Sequence, residues 1–142
     1  MDRGVFTLSL DFELIWGTLA DYGPDAFSAA VERERAEVFD RLLDLLIEFE
    51  IPATWCVLGH LLLGSCSAVD GVKHPEITPP GEMPADRWFA HDPCTDERTD
   101  PLYYGLSLVE RIRACPVPQE VGGHSFSHAL FGDGLTTRET AA

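Results

Sequence analysis

Basic side chains are scarce in this chain: 10 Lys and Arg stand against 24 Asp and Glu, giving a formal net charge of -14. A field of that sign repels phosphate backbones and anionic membrane surfaces, so neither nucleic acid nor membrane is expected as a partner. The acidity also serves solubility, without any cationic substrate behind it. Cysteines are few and scattered. Cys56, Cys66, Cys94 and Cys115 form no CxxC pair and no zinc-ribbon spacing, which argues against a redox motif or a thiolate metal site; two of them read as core residues. Long apolar runs are missing too. The most apolar stretch, Ala53 to Leu63, is broken by His60 and is only about half of what a membrane-spanning helix requires. No basic region followed by an apolar one precedes the first strand, so no export signal is expected and the cytoplasm is the default location.

What is present suits one α/β domain. Hydrophobic residues make up 45% of 142 positions, enough for a core of ordinary size. Val5 to Leu10 mixes alternation with β-branched and aromatic residues and reads as a strand ending at Asp11-Phe12-Glu13. Leu14 to Phe27 reads as a loop. Ser28 to Phe49 carries Val31, Val38, Leu42, Leu45, Leu46 and Phe49 on a helical stripe, stopped by Ile51-Pro52. Ala53 to Leu58 is a second, buried strand, which makes the first half a βαβ unit with parallel strands. Leu61 to Leu63 starts a short helix, and Leu106 to Ala114 repeats the helical stripe before a third strand from Gln119 to Gly123.

The residues with chemistry fall at the ends of those strands. Side chains alternate along a strand, so Asp11 and Glu13 point the same way and their carboxylates converge. His124 and His128 are four apart, and a helical turn from Ser125 onward would place both imidazoles on one side, their Cβ atoms about 6 Å apart. Two histidines with one carboxylate form a recurrent hydrolytic metal set. Parallel βα folds concentrate their chemistry at the carboxyl ends of the strands, where these acids and histidines appear independently. His60 and His91, taken singly, read as structural hydrogen-bonding residues.

The segment from about 64 to 105 is a long insertion rich in Pro, Gly and Asp. Such loops in compact domains are usually functional, and its Trp88, Phe89, His91, Asp92, Asp96, Tyr103 and Tyr104 favour an ordered lid that selects substrate. Trp16, His60, Trp88 and Tyr104 are the residues expected to contact substrate. Thr136 and Glu139 have capping-box spacing, so a helix begins near the last residues. Three βα units are far from the eight that close a barrel. The chain therefore reads as the front portion of a larger domain.

Thr7-Leu8-Ser9-Leu10-Asp11-Phe12-Glu13, Pro52-Ala53-Thr54-Trp55-Cys56-Val57-Leu58-Gly59 and Glu120-Val121-Gly122-Gly123-His124-Ser125-Phe126-Ser127-His128 together resemble, in order and spacing, the NodB-homology polysaccharide deacetylases. The resemblance covers nearly the whole chain and the first half to two thirds of the family's domain. It implies the N-terminal portion of a distorted, TIM-like (β/α) barrel and a metal-dependent hydrolase of N-acetyl groups on a polysaccharide, amino sugar or related small amide. Asp11 matches the family's catalytic base, while His124 and His128 match its histidine ligands. The usual adjacent aspartates are separated here by Phe12, so the carboxylate ligand falls to Glu13, and which of the two acids meets the metal stays open. The family's later motifs, among them the general-acid histidine, are not matched.

A divalent ion is thus implied, zinc first, with cobalt, nickel and manganese as alternatives. Two other readings share these residues. One is a catalytically inactive binding module or pseudoenzyme of the same fold, and the other a non-haem iron oxygenase built on the same two histidines and carboxylate. Open parallel-sheet edges also raise the prospect of a homo-oligomer.

Overall fold

The first strand forms where the pattern expects it but is shorter. In the computed structural model, which describes residues 4–79 and 84–129, β1 is Ser9–Phe12, and Val5 and Phe6 before it are 90% and 81% exposed. The cause lies in the neighbouring strand, Ala53–Val57 (β2), whose register pairs Ser9 with Thr54 and Phe12 with Val57. Pro52 precedes β2 and has no N–H to donate, so the ladder cannot run further back. Between these strands lie Trp16–Tyr22 (α1), Ser28–Arg33 (α2), a π-helical turn at Glu34–Val38 and Phe39–Glu48 (α3). After β2 come a 3-10 turn at Gly59–Leu62, the short helix Ala85–Trp88 (α4), Leu106–Arg113 (α5) and Gln119–Gly123 (β3). The sheet order is β1-β2-β3 and both pairings are parallel. No helix among the described residues is long and apolar enough to cross a membrane. The expected helix start at Thr136 lies outside the described residues.

The stretch expected as a loop after β1 contains α1, and the expected single helix from Ser28 to Phe49 is interrupted by the π turn. One extra residue in a helical turn advances the apolar stripe by one position. Val31 is buried before the interruption, and Phe39, Leu43 and Leu46 are buried after it, while Val38 is left 47% exposed. The stripe meets the sheet through an aromatic trio: Phe12, Phe39 and Trp55 have ring centroids 5.8 to 6.0 Å apart. From α5, Leu108, Val109 and Ile112 join the same core. Each of these large side chains is worth about 1.5–3 kcal/mol when fully buried. The opposite face of the sheet is polar, with Ser9, Asp11 and Glu120 exposed and Thr54 and Cys56 half-buried.

Arg35, inside the π turn, ties this helix to the far end of the long insertion. Its guanidinium donates to the Tyr104 carbonyl at 3.0 Å and to Glu97 at 2.5 Å. Glu97 also accepts from the Ser107 backbone N–H at the start of α5 and from the Ser107 hydroxyl. Burial pushes the Glu97 carboxyl up, but the Ser107 and Arg35 bonds outweigh it and the net shift is downward. A depressed carboxyl contributes its full stabilisation above the ordinary glutamate range and loses it as pH falls through the folded-state value. Replacing Glu97 by Ala should lower unfolding stability near pH 7 by about 1.5–3 kcal/mol. In urea titrations, the gap between wild type and variant should close as pH drops below the usual glutamate range.

Candidate metal centre

Glu13 and His124 each stand one residue beyond a strand end. The amide of His124 donates to the Val57 carbonyl at 3.0 Å, continuing the β2–β3 ladder by one rung. From there His124 Nε2 reaches 2.7 Å from Glu13 Oε1, and His128 Nε2 lies 3.1 Å from the same oxygen. The two imidazole centroids are 5.7 Å apart. One ligand atom from each of Glu13, His124 and His128 falls within 4.8 Å of the others, a spacing one ion can bridge. The carboxylate that meets both imidazoles is Glu13. Its pKa is lowered, first by the His128 hydrogen bond against the opposing effect of burial, then by the His128 charge and by His124.

The histidines come together by a tight turn, which replaces the helical turn expected from Ser125. Ser125 and His128 have φ values of 60° and 62°, and Leu14, directly after Glu13, has 48°. Such left-handed conformations cost non-glycine residues on the order of 1–3 kcal/mol each and persist where surrounding bonds over-determine them. Here the Gly59 amide donates to the Ser125 carbonyl at 2.8 Å, and the His60 amide to the Phe126 carbonyl at 2.9 Å. The Ser125 hydroxyl accepts from the Ala129 N–H at 2.9 Å.

Two cavities flank the triad. Asp11 shares with Glu13 the wall of one of about 230 Å³, which Glu34 also lines. Burial, then the Glu13 charge, pushes the Glu34 carboxyl up. The other, about 270 Å³, touches His128 and is lined by Trp16, Trp88, Arg87, His91 and Ser127. Trp88, from α4 in the long insertion, donates its indole N–H to Ser127 Oγ at 2.7 Å, so the insertion forms one wall beside the triad. Of the expected substrate-contacting residues, Trp16 and Trp88 are at this cavity. His60 and Tyr104 are wholly buried. Their assignment to substrate is corrected accordingly, because a side chain with no accessible surface cannot touch one.

His60 instead belongs to a second cluster, with Cys66, His74 and Asp92, whose ligand atoms also lie within 4.8 Å of one another. Asp92 Oδ2 is 3.1 Å from His60 Nε2 and 2.5 Å from His74 Nε2, and Asp92 Oδ1 accepts from the Cys94 amide at 2.9 Å. Burial works to raise the Asp92 pKa, yet the His60, Cys94 and His74 bonds hold it well below the usual carboxylate range. Cys66 Sγ lies 3.8 Å from His60 Nε2 and 3.7 Å from the Asp92 carboxylate. Burial chiefly pushes this thiol up to about 12, against the lowering effect of its Tyr104 hydrogen bond. The reading that no cysteine belongs to a metal-type cluster is therefore corrected for Cys66. No zinc-ribbon spacing announces the group; the available signal is that His60, Cys66, His74 and Asp92 all follow β2 and include two histidines in the insertion or at its root.

A scan against family models matches none, and neither the curated proteins nor the solved structures contain a significant match to this chain.

Gly17, in the first turn of α1, lies directly under Glu13: a Cβ at this position would fall 2.0 Å from Glu13 Oε2. Gly17→Ala should therefore displace the carboxylate and weaken divalent-ion binding at the triad by at least tenfold, the scale on which groups that orient metal ligands act. Isothermal titration with Zn2+ measures this, and near-unchanged far-ultraviolet circular dichroism would show that the helix itself is intact.

Proposed function

We propose that this chain carries the metal-binding part of an amide hydrolase of the polysaccharide deacetylase kind, acting on N-acetyl groups of a polysaccharide or amino sugar. The observation that carries this reading is the meeting of Glu13, His124 and His128 at the carboxyl ends of β1 and β3. Two imidazoles and one carboxylate leave coordination positions for water and substrate, the donor set of hydrolytic rather than structural zinc sites. A divalent ion held there supplies Lewis acidity, acidifying water and polarising a carbonyl.

The chain's own residues divide the remaining work. Asp11 is exposed and shares a cavity wall with Glu13. It is the general base in this reading. Trp16 and Trp88 give the cavity beside His128 aromatic walls, which suit the binding of a bulky, largely preformed ligand such as a sugar ring. The distorted barrel belongs to the same proposal. Parallel sheets are ordinarily covered on both faces, whereas here Ser9, Asp11 and Glu120 present a polar face away from the helices.

Elemental analysis of protein purified without chelators tests the ligands. Glu13→Ala, His124→Ala and His128→Ala should each hold about one equivalent of divalent ion less than wild type. Asp11→Asn should keep the full metal content while acetate release from N-acetylated oligosaccharides falls by about 10²–10⁴-fold, the usual contribution of a general base. A wild type that holds no divalent ion, or a metal content unchanged in all three ligand variants, would overturn this reading.

A further inference from the structure

We propose that His60, Cys66, His74 and Asp92 form a second metal site, a closed structural zinc centre that fastens the long insertion to the end of β2. This inference does not rest on the hydrolase reading, since it concerns different residues and a different donor set.

The hydrogen-bond directions carry it. Nδ1 of His60 lies 3.0 Å from the Tyr103 carbonyl, which can only accept, so that nitrogen carries its hydrogen. Nε2 of the neutral ring then offers a lone pair toward Asp92 and Cys66. His74 turns its Nε2 to Asp92 as well, and its Nδ1 lies 3.6 Å from Glu76, beyond hydrogen-bond distance. Metal-ligating histidines typically donate their second ring N–H to a backbone carbonyl or a carboxylate, and His60 does so to the Tyr103 carbonyl. Asp92 is steadied likewise, with one oxygen on the Cys94 amide and the other turned to both imidazoles.

Chemistry and burial agree on the ion and its role. Two imidazoles, one thiolate and one carboxylate make a mixed nitrogen, sulfur and oxygen set that suits zinc. A tetrahedral zinc separates its donors by roughly 3.3–3.8 Å; the Cys66 contacts to His60 and Asp92, at 3.8 and 3.7 Å, match, while Asp92 Oδ2, at 3.1 and 2.5 Å from the His60 and His74 nitrogens, would have to draw back to admit the ion. His60, His74 and Asp92 are 0%, 4% and 2% exposed and Cys66 is half-buried, so four protein donors converge largely inside the fold, as in a structural rather than a substrate-binding site. The site reaches toward the Glu13 centre through Phe126. That ring packs on His60 and His74 at 5.7 and 5.0 Å between centroids and sits in the turn between His124 and His128.

Cobalt substitution separates the two sites, because only the second contains a thiolate. Wild type titrated with Co2+ should develop a near-ultraviolet thiolate-to-cobalt charge-transfer band and bind about two equivalents. The band should survive His124→Ala combined with His128→Ala, which retains about one equivalent. It should also survive Cys94→Ser and vanish in Cys66→Ser. Absence of the band in wild type, its persistence in Cys66→Ser, or its loss in the His124/His128 double variant would each overturn the proposal. Should Cys66→Ser fail to fold by circular dichroism, the band in wild type and in the double variant still decides.

Discussion

Glu13 and His124 leave strands that are not neighbours. β2 lies between them, and adjacent strands stand about 4.8 Å apart, so the two backbones are separated by roughly 10 Å. The Glu13–His124 contact at 2.7 Å is possible because both side chains are long and lean toward each other over the end of β2. Two features of β2 permit this. Its registers pair Phe12 with Val57 and Val57 with Gly123, so the three strands stop level. It then passes into Gly59, where a Cβ would stand 3.0 Å from the Phe126 ring and 3.2 Å from its Cα. A bulkier residue there would lift the histidine turn away from the sheet. The triad thus depends on the core beneath it, since the packing of Phe12, Trp55 and Phe39 holds the ladders in register.

The strained turn and the buried insertion are two parts of one structure. Ser125 and His128 are in left-handed conformations that isolated peptides avoid. What holds them is the backbone of Gly59 and His60, which donates to the turn, together with Phe126, which fills the space over the His60 and His74 rings. Those rings are fixed by Asp92, and the backbone carbonyl of Asp92 in turn accepts from the Lys73 ammonium. Phe126 and the His60 amide thus tie this buried network to the turn that carries His124 and His128.

The legible parts of the fold were those set by local pattern. A short, largely apolar run marked β2, and the helical stripe marked α5, whose Leu108, Val109 and Ile112 are buried on the side the periodicity indicates. The convergence of Glu13, His124 and His128 could be read for the same reason: parallel strands fix which ends their residues occupy. What periodicity missed was non-local. The π turn moved the stripe from Val38 to Phe39, and nothing in the order of residues around Glu34 signals an added residue in the turn. Likewise, Tyr104 looked like a lid residue and both it and His60 like substrate contacts, because polar and aromatic residues in loops usually face solvent; the other reading of His60, as a structural hydrogen-bonding residue, agrees with its bonds to Tyr103 and Asp92. The insertion folds back on β2, however, and burial of its polar groups is tolerated only because Asp92, Tyr103 and Cys66 supply partners.

A sheet of this kind has few resources of its own. Its outer strands, β1 and β3, each pair on one side among the described residues, and each contributes at most five residues. The insertion adds mass but little regular structure: among the described residues its one helix is four residues long. Ions bound only by the folded chain add stability that grows with the logarithm of their free concentration over the dissociation constant. Glu13 joined to His124 links β1 to β3 across β2, and Asp92 joined to His60 links the insertion to β2's end; these are the connections that the backbone ladders do not make. A chain with 24 acidic residues also raises the local concentration of cations over its surface. Acidic composition, short strands and two clusters of nitrogen, oxygen and sulfur donors all accord with the proposal that cations would complete the fold where hydrogen-bonded ladders stop.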